Sequence, residues 1–417
     1  MNLYRLELKR VCKTRMTAIL LAIALVLAVV MAYLPVTFIG WTELDASGNE
    51  VRYTGLKAIR KRQEQQVSGT ITPDVMQEAL EAYQRVYLQY DASSINDIPV
   101  EVFYKELARY QPLVNNAKEA FADPKTGMAP GVMGLTAEDM QNFYSQLPKR
   151  LESVIWLEQS GKPGYEQAQA IAQKKFDAVQ KPFTYSFGVS SDAMDYQTLL
   201  SLLLTLLCAV IAAPVFASDA QTGAQDIQLC TKNGGLRLAA AKLAAAFSIT
   251  GAAYLLCGVV WILVTNALFG WESTQTSVQW LFSVTSLLPY TVGQMEWVML
   301  VANFLIFFAE VAFVLMASVW AKNNLTALSV ALISVVAPLI VYMVVPGSFG
   351  EWLSTLLPAG GIGLSNALLY KMISFDFLYA GGHAFFQADV LLASAPIKIV
   401  LLVGLAIWGY LRKTKVA

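Results

Sequence analysis

The run ILLAIALVLAVVMAYLPVTFI, Ile19–Ile39, carries no charged residue over 21 positions. About 20 apolar residues suffice to cross the hydrocarbon of a bilayer, and a charge at its centre costs a few kcal/mol. This stretch, lengthened to Met16–Thr42, is therefore predicted to span a membrane. Working outward, Tyr196–Ser218, Leu243–Trp271 and Asn323–Gly350 are equally free of charge. Trp297–Ala321 is interrupted only by Glu310, and Val390–Leu411 only by Lys398, whose long stem can snorkel to the headgroups. Composition agrees: 56% of residues are hydrophobic and 14% charged, more apolar surface than a soluble core hides.

The basic residues orient these runs. Arg5, Lys9, Arg10, Lys13 and Arg15 precede the first, and Arg412, Lys413 and Lys415 follow the last. Positive residues stay inside, so both termini are expected in the cytoplasm. Lys232, Arg237, Lys242 and Lys322 fall on inner connections by the same parity, and Glu272, Glu296, Glu351, Asp376 and Asp389 on outer ones. The expected fold is thus an all-α integral membrane protein with six transmembrane helices, at 16–40, 196–218, 239–271, 297–321, 323–346 and 390–411. Between them lie a mainly helical extracellular domain (41–195), an inner loop (219–238) and two outer loops (272–296 and 347–389). Residues 1–15 read as an amphipathic helix at the inner surface, with Leu3, Leu6 and Val11 set among charges. Residues 412–417 are a cytoplasmic tail. The first run is too long for a signal peptide and lacks a clear cleavage site, which favours an uncleaved anchor.

Two other stretches imitate spans. STQTSVQWLFSVTSLLPYTVGQM (Ser273–Met295) is too rich in Ser, Thr and Gln, and counting it would reverse Lys322. WLSTLLPAGGIGLSNALLY (Trp352–Tyr370) holds Pro358, Gly360, Gly361 and Gly363, so its backbone would go unpaired in lipid unless protein or water covered it. It is read as re-entrant.

The segment Trp41–Asp195 has 16 basic against 21 acidic residues, a net −5, and the rest of the chain balances it with +5. The basic excess is membrane anchoring rather than a nucleic-acid surface. Helical seams recur in the segment: Met76, Leu80, Tyr83, Tyr87 and Tyr90, capped by Thr72 with Pro73 in the first turn; Phe103, Leu107, Tyr110, Val114, Ala117 and Phe121 across a kink at Pro112; and Met140, Tyr144, Leu147, Leu151 and Val154 opened by Thr136. The tyrosines suit packing with the hydroxyl at the rim. Gly127, Pro130, Gly131 and Gly134 make a central loop where a partner could bind.

Chemistry has little material here. The outer segment has no cysteine; Cys12 and Cys230 fall inside, and Cys208 and Cys257 within spans. This argues against a disulfide framework and fits a bacterial plasma membrane with no second membrane outside it. The single histidine, His383, reads as an outer-loop residue, so zinc sites and Ser-His-Asp arrangements are not expected. No phosphate-binding loop occurs, and no metal or cofactor is expected.

The most informative inner segment is FASDAQTGAQDIQLCTKNGGLRLAAAKLAAAF, Phe216–Phe247. An acidic residue after the second span, a Gly, a short amphipathic stretch, a Thr-x-x-Gly turn, an Arg and a Lys follow one another as Asp219, Gly223, Ile227, Leu229, Thr231, Gly234, Arg237 and Lys242. This order resembles the loop of ATP-binding-cassette (ABC) type-2 exporter permeases, which more often have Glu at the place of Asp219. The six spans, the amphipathic start and the re-entrant pair before the last span resemble the same family; the outer domain is an insertion beside its shortest members. The resemblance implies a non-enzymatic permease that couples to separate ABC ATPase subunits through this loop, pairs with a second permease subunit, and sits in membrane lipid. Arg237 and Lys242 would fix the loop to anionic headgroups or to the preceding helix. The same residues would serve in an ordinary basic inner loop. A surface scaffold or receptor similar to the phage infection protein family, lacking a motor, shares the layout.

Glu310 and Asn303 share a face of the fourth span. An intramembrane carboxylate there could line a translocation path or bind a proton or cation, or it could be neutral and bonded to a neighbouring helix.

Overall fold

A computed structural model of the chain describes residues 3–45 and 49–414. Lys415 and the remainder of the predicted tail, with residues 1 and 2, lie outside the described residues. The protein is mostly helical, and six of its helical segments are long and apolar enough to cross a membrane.

Helix α1 (Leu3–Cys12) leads into the first span, α2 (Arg15–Phe38). Leu6 is exposed on α1, and the residues it buries are Glu7 and Val11. The chain then leaves helix for the hairpin β1 (Gly40–Leu44) and β2 (Glu50–Thr54), antiparallel with Trp41 opposite Tyr53. Two further two-stranded ribbons follow, β3 (Gly69–Thr70) with β4 (Thr184–Tyr185), and β5 (Phe377–Ala380) with β6 (His383–Phe386). These ribbons correct the all-helical expectation. They also place His383 on a strand rather than in a loop, exposed and 3.2 Å from Gln167 Oε1.

Helix α3 (Leu56–Gln65) lies between β2 and β3, and between β3 and β4 stand α4 (Pro73–Gln89), a short turn α5 (Val100–Val102), α6 (Gln111–Ala120), α7 (Ala137–Gln141), α8 (Phe143–Gln159) and α9 (Tyr165–Asp177). The Thr72 hydroxyl accepts the Val75 N–H at 3.4 Å, with Pro73 opening α4. The seam expected to kink at Pro112 instead starts afresh: Phe103–Leu107 is a π turn, Ala108–Tyr110 a 3-10 turn, and Pro112 lies in the first turn of α6. Proline lacks an N–H, and at that position none is needed. The third seam breaks at Asn142, and a reciprocal Thr136–Asp139 box caps its first half, α7.

The second span is α10 (Ser191–Ala212) continued by α11 (Pro214–Gln221). Ser318 secures the joint: its hydroxyl accepts the N–H groups of Phe216 and Ala217, each at 3.0 Å, and donates to the Ala213 carbonyl at 2.6 Å. After the short α12 (Ala224–Leu229) come α13 (Leu236–Phe269), α14 (Val292–Trp320) and α15 (Asn324–Val344). Then α16 (Gly347–Leu356) and α17 (Leu368–Ile373) precede the last span, α18 (Gln387–Thr414).

Helix α14 sits centrally, packed on α10, α11, α13, α15 and α18, while α2 lies outside against α10 and α13. Gly251 and Gly258 of α13 permit that close packing. A Cβ at Gly258 would come within 2.3 Å of Leu300, and one at Gly251 within 2.8 Å of Phe308. The outward faces of α2, α15 and α18 are apolar, with Val26 62%, Leu325 74% and Val400 71% exposed. Contiguous apolar faces of this kind suit lipid and not water.

The fourth span starts earlier than the charges suggest. Thr291 and Gln294 form a capping box, so Glu296 belongs to α14 and is fully buried, not part of an outer loop. Lys398 is also corrected. It lies eleven residues into α18 and donates to the carbonyls of Thr355 at 3.2 Å and Leu357 at 3.0 Å instead of reaching for headgroups. The end of α16 leaves the Thr355 carbonyl without a helical partner, and the ammonium meets its need while sharing the Leu357 carbonyl with the Gly360 N–H. The following turn is buried: Gly360 stands against the Ser354 and Thr355 carbonyls, and Gly361, at φ +89°, against Ile306 and Leu391. Pro358 and Gly363 flank it.

Residues 40–190 are seated on one end of the bundle, the end opposite α1. Gln63 donates to the Phe269 carbonyl at 2.6 Å, Ser277 N–H to Thr184 O at 2.8 Å and Gln159 to Phe375 O at 2.7 Å. The buried apolar side chains form one core running from this domain into the bundle. Glu119 of α6 accepts the Ser283 hydroxyl in the connection between α13 and α14. Burial raises its carboxyl above the ordinary value, against the opposing pull of Ser283, the Val284 N–H and Arg150.

The folded chain thus holds that proton to higher pH than the unfolded chain. Stability should fall as pH rises from the usual carboxylate pKa through the raised one, with a slope from this group of at most about 1.4 kcal/mol per pH unit. Glu119→Gln, neutral at every pH, should flatten that part of the curve in thermal unfolding of the detergent-solubilised protein. Identical slopes for the two proteins would rule the linkage out.

Candidate functional site

At the end of the bundle that carries α1, four charges meet among helices. Lys242 of α13 is 1% exposed, and Glu7 of α1 and Asp219 of α11 are 8% exposed. The Lys242 ammonium bonds to Asp219 Oδ2 and stands 3.6 Å from Glu7 Oε1. Arg10 donates to both Asp219 oxygens, at 2.9 and 3.1 Å, and to the Val215 carbonyl at 2.9 Å, with its Nε 3.0 Å from Glu7. Each buried ion costs several kcal/mol unless it is paired and hydrogen-bonded. Two acids and two bases leave no net charge, and the cluster binds three helices. The apolar part of the same junction is Val11 packed with Leu20, Ile211 and Ile249.

The sequence reading places Asp219 and Lys242 in one motif without pairing them, reads Arg10 only among the basic residues before the first span, and does not single out Glu7. A signal for Glu7 was present, since it is the one acid among five bases in the first fifteen residues. Asp219, expected to open the inner loop, instead lies in the last helical turn of α11, which runs on to Gln221.

Beyond Asp219 the chain turns at Gly223, in left-handed geometry at φ +71°, into α12. This helix ends at Leu229, ahead of the Thr231–Gly234 turn. The Thr231 hydroxyl donates to the Gln228 carbonyl at 2.7 Å, a local bond that competes with helix continuation. Gly234 is fixed by sterics: a Cβ there would fall 1.7 Å from the Gln228 oxygen. Its carbonyl accepts the Tyr410 hydroxyl of α18 at 3.0 Å. Arg237 is exposed and bonds to Asn233 of its own turn at 3.2 Å, rather than to the preceding helix. On this braced helix-turn, Ile227 is 74% exposed while Leu229 is half-buried. Beside it lies a groove of about 650 Å³ lined by Asp226, Leu229, Trp320 and Arg412.

A second polar system runs along the buried face of α14, where Glu296, Asn303 and Glu310 recur every seven residues. Fourteen residues of helix place the two carboxylates about 21 Å apart. Glu310 accepts the Ser334 hydroxyl of α15 through Oε1, and Oε2 has no hydrogen-bond partner among the described residues. Glu296 Oε2 accepts from Asn266 of α13 at 2.6 Å, and its backbone carbonyl accepts from Gln197 of α10 at 2.9 Å. The sequence reading puts Glu296 on an outer loop because it starts the span at Trp297, past the Thr291 cap. Among the described residues no three His, Cys, Asp or Glu side chains gather as a metal cluster would require.

Asp219→Ala would leave Lys242 buried beside Arg10 without its nearest anion, a loss of about 3–5 kcal/mol. Detergent unfolding midpoints should show the loss, and adding Lys242→Met should recover much of it. A double variant no more stable than the single one would sink the coupling. The chain matches no protein-family model, no curated protein and no solved structure.

Proposed function

We propose that this chain is the membrane-spanning permease subunit of an ABC exporter, with ATP hydrolysis supplied by separate ATPase subunits and a second permease subunit completing the pore. The observation that carries the reading is the helix-turn from Gly223 to Gly234. It exposes Ile227 to a partner while its supports, the Asp219–Lys242–Arg10 cluster and the Gly234–Tyr410 bond, tie it to α1 and to the second, third and last membrane helices. A surface that is to transmit a push has to be stiff where it is gripped and joined to what must move. Flexible loops absorb such a push.

In this reading α1, α12 and both termini face the cytoplasm, as the basic residues around them require, and residues 41–190 stand outside a bacterial plasma membrane. Glu310 and Asn303 are buried inside one subunit, with Glu310 bonded to Ser334, which favours helix–helix attachment over contact with cargo. Glu310→Gln retains an acceptor for Ser334 and should leave coupled ATP turnover within about twofold, under 0.5 kcal/mol. A much larger loss at equal protein level would place Glu310 on the route.

Recovery of the tagged chain in mild detergent should bring down an ABC ATPase. Ile227→Glu should lower the retained fraction about tenfold or more, the worth of roughly 1.4 kcal/mol from one apolar anchor, without changing the level of the chain. Wild-type protein that holds no ATPase would overturn the exporter reading and leave the motorless scaffold.

A further inference from the structure

A cavity of about 840 Å³ lies where residues 165–178 meet the spans. Its walls include Ile171 and Lys174 of α9, Leu287 in the connection before α14, and Val298 and Leu392 of the spans α14 and α18. Most of this lining is apolar. The remaining side is the hairpin β5–β6, through Phe386.

Its level is fixed by what surrounds it. Lys175, beside Lys174, pairs at 3.0 Å with Asp389 in the first turn of α18 and stands 4.5 Å from the Phe386 ring, so the end of α9 rests at the mouth of a span. Trp297, next to Val298, is 46% exposed, and Trp271 and Phe385 are exposed at the same end. Aromatic side chains mark the headgroup level of a bilayer. The cavity therefore straddles that level, with Val298 and Leu392 on its hydrocarbon side and the α9 lysines on its aqueous side.

The charges at the rim are unequal. Asp389 neutralises Lys175, and Asp177 accepts from Gln173 at 2.7 Å. Lys174 is exposed and has no hydrogen-bond or ion-pair partner among the described residues. An unpaired ammonium above an apolar slot complements an amphiphile with an anionic head and a hydrocarbon tail. The volume lies within the roughly 300–1,000 Å³ range of small-molecule sites, enough for a headgroup and part of an acyl chain and too small for a helix of a partner protein.

We propose that this cavity seats one anionic phospholipid from the leaflet at the domain end, its phosphate on Lys174 and an acyl chain against Ile171, Leu287, Val298 and Leu392. The lipid bridges α9 to α14 and α18 and so joins the domain to the spans. This assignment rests on α14 and α18 crossing a membrane and is independent of any ATPase partner.

The test uses full-length protein in nanodiscs of equal parts phosphatidylcholine and phosphatidylglycerol, extracted into mild detergent and weighed by native mass spectrometry. Wild type should keep one phospholipid per chain, with phosphatidylglycerol preferred. Lys174→Glu should cut that preference roughly fivefold or more, as expected for reversing a charge at the membrane surface. Leu392→Trp, which fills the slot from the span side, should lower retention of both lipids. Unfolding midpoints like that of wild type would show that these variants fold. Retention and preference unchanged in both folded variants, or wild type that keeps no lipid, would overturn the site.

Discussion

Lys242 is an ammonium enclosed by helices that otherwise present apolar side chains to one another and to lipid, and that enclosure imposes conditions on everything near it. A lone ion in such surroundings is too costly to keep, so anions must reach it, and they come from Asp219 on α11 and Glu7 on α1. Two anions beside one cation would be nearly as costly, and Arg10 restores the balance while gripping the Val215 carbonyl. The first helix, the second span and the third span are thereby held in register by charge neutrality. The turn that follows Asp219 inherits its position from that register.

The same economy governs each place where the helical backbone is interrupted. At Pro214 the free amides and carbonyl are taken up by one hydroxyl, Ser318 of α14. Below Gly234 the carbonyl goes to Tyr410, and at the end of α16 two carbonyls go to Lys398. In lipid no solvent would satisfy these groups, so a break is tolerated only where another helix offers a polar side chain. The breaks are therefore cross-links as well, each tying an irregular segment to α14 or α18.

How much of this was legible in the chain follows from the range of the forces involved. Runs without charge reveal spans because the cost of a charge in hydrocarbon is local to the residue that bears it. Helix ends were legible where a cap is encoded within four residues, as at Thr72 and Thr136, and Thr291–Gln294 carried the same signal for α14. The hairpin from Gly40 to Thr54 was not foreseen, since five residues per strand give too little alternation to outweigh helical seams nearby. Pairings across long separations were not legible at all: Arg10 and Asp219 are 209 residues apart, and nothing local marks them as partners. For the candidate site, the sequence located Asp219, Gly234 and Lys242, but the roles of Glu7 and Tyr410 come only from the folded arrangement.

Helix α14 connects the two ends of the molecule. Near its last turns, Ser318 holds the Pro214 joint from which α11 and the Asp219 cluster hang. Near its first turns, Glu296 is tied to Asn266 and Gln197, beneath the connection whose Ser283 meets Glu119 of the domain. Both belong to one unbroken helix of 29 residues, packed on four other spans and carrying close Phe304–Phe308 and Tyr254–Phe307 ring contacts at 4.3 and 4.4 Å. A densely packed helix moves as a rod, because its neighbours cannot be compressed without losing contacts. Under the proposed function, a displacement at α12 would therefore reach the domain as a tilt or shift of α14 as a whole, not as a relay of small side-chain changes. With the domain's core continuous with that of the bundle, the domain would follow this motion as one body with the ends of the spans on which it sits.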